Sequence, residues 1–479
     1  MITLSVQQAS EVLAARLDQA SASQRDVVFT GVAIDSRKVQ TGQLFVALAG
    51  TQVDGHDYLA AAAKAGAVAA LVSRPCAVDL PQIIVDDCAQ ALAQLARYWL
   101  QQNHSCVVGV TGSNGKTTVK NLLAGVLAQV APVLATPGNF NNELGLPLTL
   151  CQLNREQRFC VLEMGARQRG DITTLTHIAQ PQVGIVTNAG PAHLETFGGL
   201  EGVAVGKGEM FSQLPADGVA IINQDDQYAD YWRRQAAPRR VLSFGRSSSA
   251  DVRSESTGPD CHIHTPTGDF RVRLQLQGTH NVLNALAATA AAIALDIPIA
   301  AIAAGLASVA AESGRLQYYQ SQGGWSVIDD TYNANPASLY AALQTASVAS
   351  QGQHDGELWL VLGDMGELGE GARKLHAEMG EAARHFGVQR LWATGELSAA
   401  AVSAFGPGGQ HFEDKQALID ALLPALKTEV RCLIKGSRSA GMEQVVHALL
   451  NNTAAAAAVM ASQMHKDRQN QEHNQGSTH

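Results

Sequence analysis

No pair of cysteines in this chain has the spacing of a disulfide motif or a zinc site. The seven cysteines, at positions 76, 88, 106, 151, 160, 261 and 432, stand apart, several of them inside apolar runs, as Cys106 and Cys432 do. Thiols scattered in this way read as reduced, buried side chains of a cytosolic protein. A membrane-length apolar run is also lacking. The most apolar region, Ala285 to Ala311, is broken by Asp296 and Pro298 and reads as two buried helices. Basic residues are in the minority, 34 Lys and Arg against 43 Asp and Glu, giving a net charge of −9. Nucleic-acid binding asks for a basic surface and is not expected, whereas a small phosphorylated substrate in a local pocket stays open. The start, MITLSVQQASEV, has neither a basic opening nor an apolar core, so export is not expected and the cytoplasm is.

What is present is enough apolar residue, 46% of 479 positions, to fill several cores, and the length predicts about three domains. An α/β fold is expected throughout. Residues 1–104 carry short apolar runs at Leu44–Leu48, Val68–Val72 and Ile83–Val85 around an alanine-rich helical stretch, Tyr58 to Gly66. Polar residues Gln101 to Ser105 read as a linker. Residues 105–314 open with the strand Cys106–Val110, and strand-like runs recur at Phe159–Leu162, Val183–Val186 and Val219–Ile222, the rhythm of a mainly parallel sheet. In residues 315–452 the runs Trp325–Ile328, Leu358–Leu362, Leu391–Ala393 and Arg431–Ile434 have the spacing of βαβ units in a Rossmann-like sheet. Residues 453–479, an alanine run followed by polar residues, are expected to be a frayed helix and then disorder.

Directly after the strand ending at Val110 comes Thr111-Gly112-Ser113-Asn114-Gly115-Lys116-Thr117-Thr118, followed by apolar positions Val119, Leu122, Leu123, Val126, Leu127 and Val130 at helical offsets. Strand, glycine loop and helix together form a phosphate cradle. Glycines let backbone N–H groups approach, and the helix N-terminus adds the positive end of its dipole. Lys116 can reach the β- and γ-phosphates of ATP, and the Thr117 hydroxyl can ligate Mg²⁺. The usual pattern has glycine five residues before Gly115. Here that residue is Val110.

Glu163 ends the next core strand, where a carboxylate points into the crevice in which α/β ligands bind and could hold Mg²⁺. His193, in Asn188-Ala189-Gly190-Pro191-Ala192-His193, falls beyond the mouth of another strand and reads equally as a structural histidine or a ligand. Lys207, in Val205-Gly206-Lys207-Gly208-Glu209, cannot ligate a metal while protonated. It reads as a surface or phosphate-contacting cation.

Together these segments resemble the Mur ligase family of peptidoglycan synthesis. The family's loop, T-G-x-[NS]-G-K-[ST], is Thr111 to Thr117, so Val110 is normal for it. Further signatures are Asn139-Phe140-Asn141-Asn142-Glu143-Leu144-Gly145-Leu146-Pro147, the Glu163-Met164-Gly165 strand end, and Asn188 to His193 with Lys207 beyond. His280-Asn281-Val282-Leu283-Asn284-Ala285, Gly314-Arg315 and Asp329-Asp330-Thr331-Tyr332-Asn333-Ala334-Asn335-Pro336 follow in order. Within the family, Leu362-Gly363-Asp364-Met365-Gly366-Glu367-Leu368-Gly369 with His376 beyond, and Lys435-Gly436-Ser437-Arg438-Ser439, are most like the member that adds D-alanyl-D-alanine to UDP-N-acetylmuramoyl tripeptide. The member that adds the third peptide residue usually carries a D-N-P-R type motif in its last domain, and none is present. That member stays the alternative.

The resemblance implies that a substrate carboxylate attacks the γ-phosphate of ATP, and that the dipeptide amine then displaces phosphate from the acyl phosphate. It implies an ATP site formed by Gly112 to Thr118 with Asn281 on adenine, Arg315 on the phosphates, Asp330 on ribose, and Asn335. It implies Mg²⁺ held by Thr117, Glu163 and His193 with Lys207 as a carbamate. Substrate contacts are implied for Asp35, Ser36, Arg37, Asp54, Gly55, His56, Asn141, Asn142, Asp364, Lys435, Ser437 and Arg438. A monomer is expected, with no membrane or nucleic-acid partner. A switch or transport ATPase would leave most signatures without a reason. A folate-type ligase does not suit the Asp35-Ser36-Arg37 region, and a non-catalytic binding module would bind ATP without turnover.

Overall fold

The computed structural model of the protein describes residues 1–18, 22–50, 53–321, 323–348 and 356–451. The tail expected to be disordered lies outside them. Three larger sheets, one per expected domain, organise the described residues. The first has the order Arg16–Leu17, Gln82–Ile84, Ala69–Val72, Leu44–Val46, Val32–Ala33, parallel except at its first pairing. The second is wholly parallel: Val252–Arg253, Arg240–Gly245, Val219–Asn223, Val183–Val186, Cys106–Thr111, Phe159–Glu163, Val133–Ala135. In the third, Gln317–Gln320 runs antiparallel beside Ser326–Asp330. Arg431–Lys435, Leu358–Gly363, Arg390–Thr394 and Gly409–Phe412 follow in parallel, as the βαβ spacing predicts.

Parallel strands need both faces covered, because their crossovers place helices on each side. On the middle sheet, the helices Lys116–Leu127, Thr279–Ala294 and Ile299–Ser308 bury one face in a cluster that includes Val110, Val119, Leu123, Leu286 and Ile302. The last two are the pair expected around Asp296 and Pro298. Cys88–Asn103, Asp171–Ala179 and Leu200–Ser212 cover the other face.

Two expectations are corrected here. Gln101 to Ser105 is not a linker: the helix Cys88–Asn103 runs into it and ends at His104 in a left-handed cap. That helix is amphipathic, and its apolar side joins the core of the first sheet to that of the second. Its polar end merely faces solvent. Val130 is not part of the buried face, since the loop helix ends at Leu127 and Val130 is exposed. All seven cysteines are free, and burial pushes the thiols of Cys151, Cys160 and Cys432 up to about 12. Among the described residues no helix is long and apolar enough to cross a membrane.

Helix Ile299–Ser308 crosses the loop helix at a glycine. A Cβ on Gly305 would lie 2.3 Å from the Val126 Cα. Backbone cannot yield as a side-chain tip can, so Gly305→Ala should cost about 1–3 kcal/mol by overpacking. Urea unfolding followed by tryptophan fluorescence checks this, and an unchanged midpoint would contradict it.

Candidate active site

Strands Cys106–Thr111, Phe159–Glu163 and Val183–Val186 are neighbours, with Glu163 opposite Val110 and Val186 opposite Thr111. The segments leaving their C-terminal ends therefore emerge side by side, at the edge where open α/β sheets bind ligands. A cavity of about 1900 Å³ opens there, walled on its far side by the third domain.

The glycine loop is held by contacts within the chain. Gly112 adopts φ 146°, and a Cβ on it would lie 1.9 Å from Thr187 Oγ1. That hydroxyl donates to the Asn114 carbonyl at 2.6 Å. The Asn114 N–H donates to Asn188 Oδ1 at 3.0 Å, and Ser113 Oγ donates to the Gly190 carbonyl at 3.0 Å. Gly115 caps the following helix at φ 81° with no side chain on the helix N-terminus, leaving its first N–H groups free to meet an anion. The Lys116 ammonium curls back onto the loop, donating to the Gly112 carbonyl at 2.8 Å and the Ser113 carbonyl at 3.3 Å. Burial lowers its pKa, Glu163 opposes that, and Arg315 adds to it.

Glu163 is 3% exposed. Its Oε2 accepts from Thr117 Oγ1 at 2.7 Å, its Oε1 from Asn141 Nδ2 at 2.8 Å, and its N–H donates to Thr136 Oγ1 at 2.9 Å. Asn142 caps the helix Gly145–Leu150 through the Gly145 N–H at 2.8 Å. Thr118 lines the same cavity, as does His193, whose Nδ1 stands 2.9 Å from Glu367 of the third domain. Burial lowers the histidine's pKa and Glu367 raises it. Lys207, expected as a surface or phosphate-contacting cation, is not at the surface. It is 2% exposed on helix Leu200–Ser212, with its Nζ 5.3 Å from the Phe197 ring centre and 3.4 Å from the Ala166 carbonyl. Burial, with Lys116 adding to it, lowers its pKa to about 7.

The third domain reaches across. Arg315 NH2 donates to Thr117 Oγ1 at 2.7 Å, with its guanidinium 4.0 Å from the Tyr332 ring centre. Asn335 Nδ2 donates to Asn114 Oδ1 at 2.9 Å. Asp330 accepts the Leu316 N–H at 3.2 Å and pairs closely with Lys435, itself 2% exposed. Lys435 is thus committed inside its own domain, also donating to the Asn333 carbonyl at 2.9 Å. Arg438 and Ser437 line the cavity. Asp364 does not: its carboxylate caps the helix Ser398–Phe405 through the Ser398 N–H at 2.8 Å, and its carbonyl accepts from Ser437 Oγ at 2.6 Å. Asn281 is buried beside the loop and accepts from Asn284 Nδ2 at 3.0 Å.

The first domain's six residues lie outside this cavity. Asp35 caps the short helix Ser36–Lys38 and pairs with Arg37 at 2.9 Å. Asp54 caps Gly55–Tyr58, pairs with Arg74 at 2.8 Å and accepts from His56 Nδ1 at 2.6 Å. The Ser73 N–H donates to His56 Nε2 at 2.9 Å, which leaves the ring proton on Nδ1.

Sequence reasoning missed Asn284, which packs against Gly115, and Glu312, 3.5 Å from Arg315 and accepting from Asn121 at 3.2 Å. It also missed the roles of Thr136 and Lys120. An asparagine three residues after Asn281 and a lysine on an otherwise apolar helix face were the available signals.

Family models match in chain order: "Mur ligase family, catalytic domain" over residues 28–99, "Mur ligase middle domain" over 110–292, and "Mur ligase, glutamate ligase domain" over 314–438. The UDP-N-acetylmuramoyl-tripeptide–D-alanyl-D-alanine ligase of Escherichia coli (strain K12) is 41% identical over 460 residues, 94% of this chain and 99% of that protein. The crystal structure of MurF from Acinetobacter baumannii is 33% identical with a TM-score of 0.87, covering 94% of this chain and 99% of that one. The MurF ligase of Thermotoga maritima, solved in complex with ADP, is 30% identical with a TM-score of 0.75, covering 88% of this chain and 97% of that one. Three family models in chain order and relatives matched almost end to end show that the chain belongs to the Mur ligase family.

Proposed function

We propose that the chain joins D-alanyl-D-alanine to UDP-N-acetylmuramoyl tripeptide in peptidoglycan precursor synthesis, releasing ADP and phosphate through an acyl-phosphate intermediate. The relatives named for that reaction cover the chain nearly completely, and they do not favour the ligase of the third peptide residue. The observation that carries the reading is the convergence at Thr117 of a buried carboxylate from the neighbouring strand and a guanidinium from the next domain.

Both chemical steps bring anions together, so the site must concentrate positive charge. The helix N-terminus at Gly115, Lys116 and Arg315 supply it from the chain. Lys116 reaches the phosphates by leaving the loop carbonyls it now holds. Asn281, Asn335 and Asp330 are assigned to the nucleoside side, with Lys435 holding the Asp330 carboxylate in place. Asn141, Asn142, Ser437 and Arg438 are assigned to the peptide side. Asp35, Ser36, Arg37, Asp54, Gly55 and His56 are assigned to the UDP-sugar face of the first domain, and Asp364 to holding Ser437.

Magnesium fits the residues present: Thr117 and Glu163 offer hard oxygens in a buried pair on which a cationic guanidinium already rests. His193 completes the set from the same cavity, and Lys207 would support it as a carbamate, its amine adding CO₂ with loss of a proton. Bound there, magnesium would supply charge stabilisation at the phosphoryl oxygens. Action as a cytoplasmic monomer belongs to the same reading.

Phosphate release from ATP and Mg²⁺ tests the reaction. Tripeptide substrate with D-alanyl-D-alanine should drive it, and dipeptide substrate with diaminopimelate should not; the reverse pattern would overturn the reading. For Lys207, a carbamate carbon signal should appear by NMR under ¹³C-labelled CO₂ and vanish in Lys207→Ala. That variant should lose most activity and regain part of it with acetate. No signal together with rescue by small amines alone would make Lys207 a plain cation.

A further inference from the structure

Lys120 stands one turn beyond Lys116 on the loop helix, but its ammonium goes to a different segment of the chain. It is 3% exposed, and it lies outside the cavity lining. An ammonium taken out of water is costly unless its protons find acceptors. This one donates to the Thr136 carbonyl at 2.7 Å. Thr136 opens the segment that leaves strand Val133–Ala135 and enters helix Gly145–Leu150. The Thr136 hydroxyl accepts the Glu163 N–H at 2.9 Å. Five residues on, Asn141 donates to Glu163 Oε1 at 2.8 Å, and its carbonyl accepts the Gly165 N–H at 2.8 Å. The main chain and the carboxylate of Glu163 are therefore both gripped by one segment, and Lys120 holds that segment's first residue.

We propose that Lys120 is a positioning residue: by anchoring the segment from Thr136 to Asn141 it sets the Glu163 carboxylate against the Thr117 hydroxyl, and so governs magnesium-dependent nucleotide binding without touching nucleotide or metal. This rests on the reading of Thr117 and Glu163 as magnesium oxygens. The competing account is a buried cation that only stabilises the middle domain. The two differ in what they do to magnesium dependence. A stability role lowers the unfolding temperature and leaves the metal's effect on nucleotide affinity intact. A positioning role erases that effect in a folded protein.

The experiment measures affinity for a non-hydrolysable ATP analogue by calorimetry, with Mg²⁺ and with EDTA, in wild type, Lys120→Met, Thr136→Val, Thr136→Ser and the Lys120→Met/Thr136→Val double variant. Ligation kcat and KM are measured beside it. In Lys120→Met the affinity in EDTA should match wild type, while the gain from Mg²⁺ falls by about 10–100-fold, the usual cost of removing a group that orients a metal ligand. The kcat should fall with the dipeptide KM unchanged. Thr136→Val should reproduce this, Thr136→Ser should keep the gain, and the double variant should lose no more than either single one, because all act through one segment. An undiminished Mg²⁺ gain in folded Lys120→Met, an equal loss with and without Mg²⁺, or additive losses would each overturn the proposal. Should Lys120→Met not fold, the contrast between Thr136→Val and Thr136→Ser decides in the same way. A wild type that binds nucleotide with a Mg²⁺ gain yet ligates nothing would sink the ligase reading while leaving this comparison intact.

Discussion

The Thr117 hydroxyl is the point on which the cleft depends. It donates to Glu163 at 2.7 Å and accepts from Arg315 at 2.7 Å. Three parts of the chain that are far apart in sequence meet on this one oxygen. Each arrives there for a separate reason. Thr117 is the second residue of a helix whose start is fixed by Gly115, Glu163 ends a strand in register with Val110, and Arg315 follows directly on Gly314 at the entry to the third domain. A carboxylate this buried is tolerable because each of its oxygens accepts a hydrogen bond.

The third domain is tied to the middle domain by polar contacts: Arg315 to Thr117, Asn335 to Asn114 and Glu367 to His193. A hydrogen bond of this kind contributes about 0.5–1.5 kcal/mol net, more when one partner is charged. Contacts of that strength can be made and released within a catalytic cycle. A purely apolar seam would not offer such exchange, because its contacts have no ligand atoms to trade for. On the proposed assignment, incoming phosphates would take over Arg315 and Lys116 from the protein groups they now hold, which would link nucleotide binding to domain arrangement.

Much of this was legible in the sequence, and the exceptions have physical causes. The central strands of the second and third sheets are continuous apolar runs because they are buried on both faces, which makes them easy to read. The loop could be read because glycine is required where the backbone has positive φ beside Thr187 and Asn284. Gln101 to Ser105 reads as a linker because the last residues of the helix Cys88–Asn103 are polar, although the apolar face of that helix continues to Leu100. Side-chain direction was the harder part. Nothing local says that Lys435 turns to Asp330, that Asp364 caps a helix 34 residues on, or that Lys207 and Lys120 are buried. Those facts are set by which strands become neighbours, and sequence spacing does not carry that information.

If one hydroxyl joins loop, carboxylate and arginine, removing it alone should uncouple them. The most direct measurement compares Thr117→Val, which keeps the shape and loses the oxygen, with Thr117→Ser, which keeps the oxygen. The readout is the Mg²⁺ concentration at half-maximal turnover, together with the KM for ATP. Thr117→Val should fold normally and need about 10–100-fold more Mg²⁺, with Thr117→Ser close to wild type. A folded Thr117→Val protein with the wild-type Mg²⁺ requirement would contradict the account.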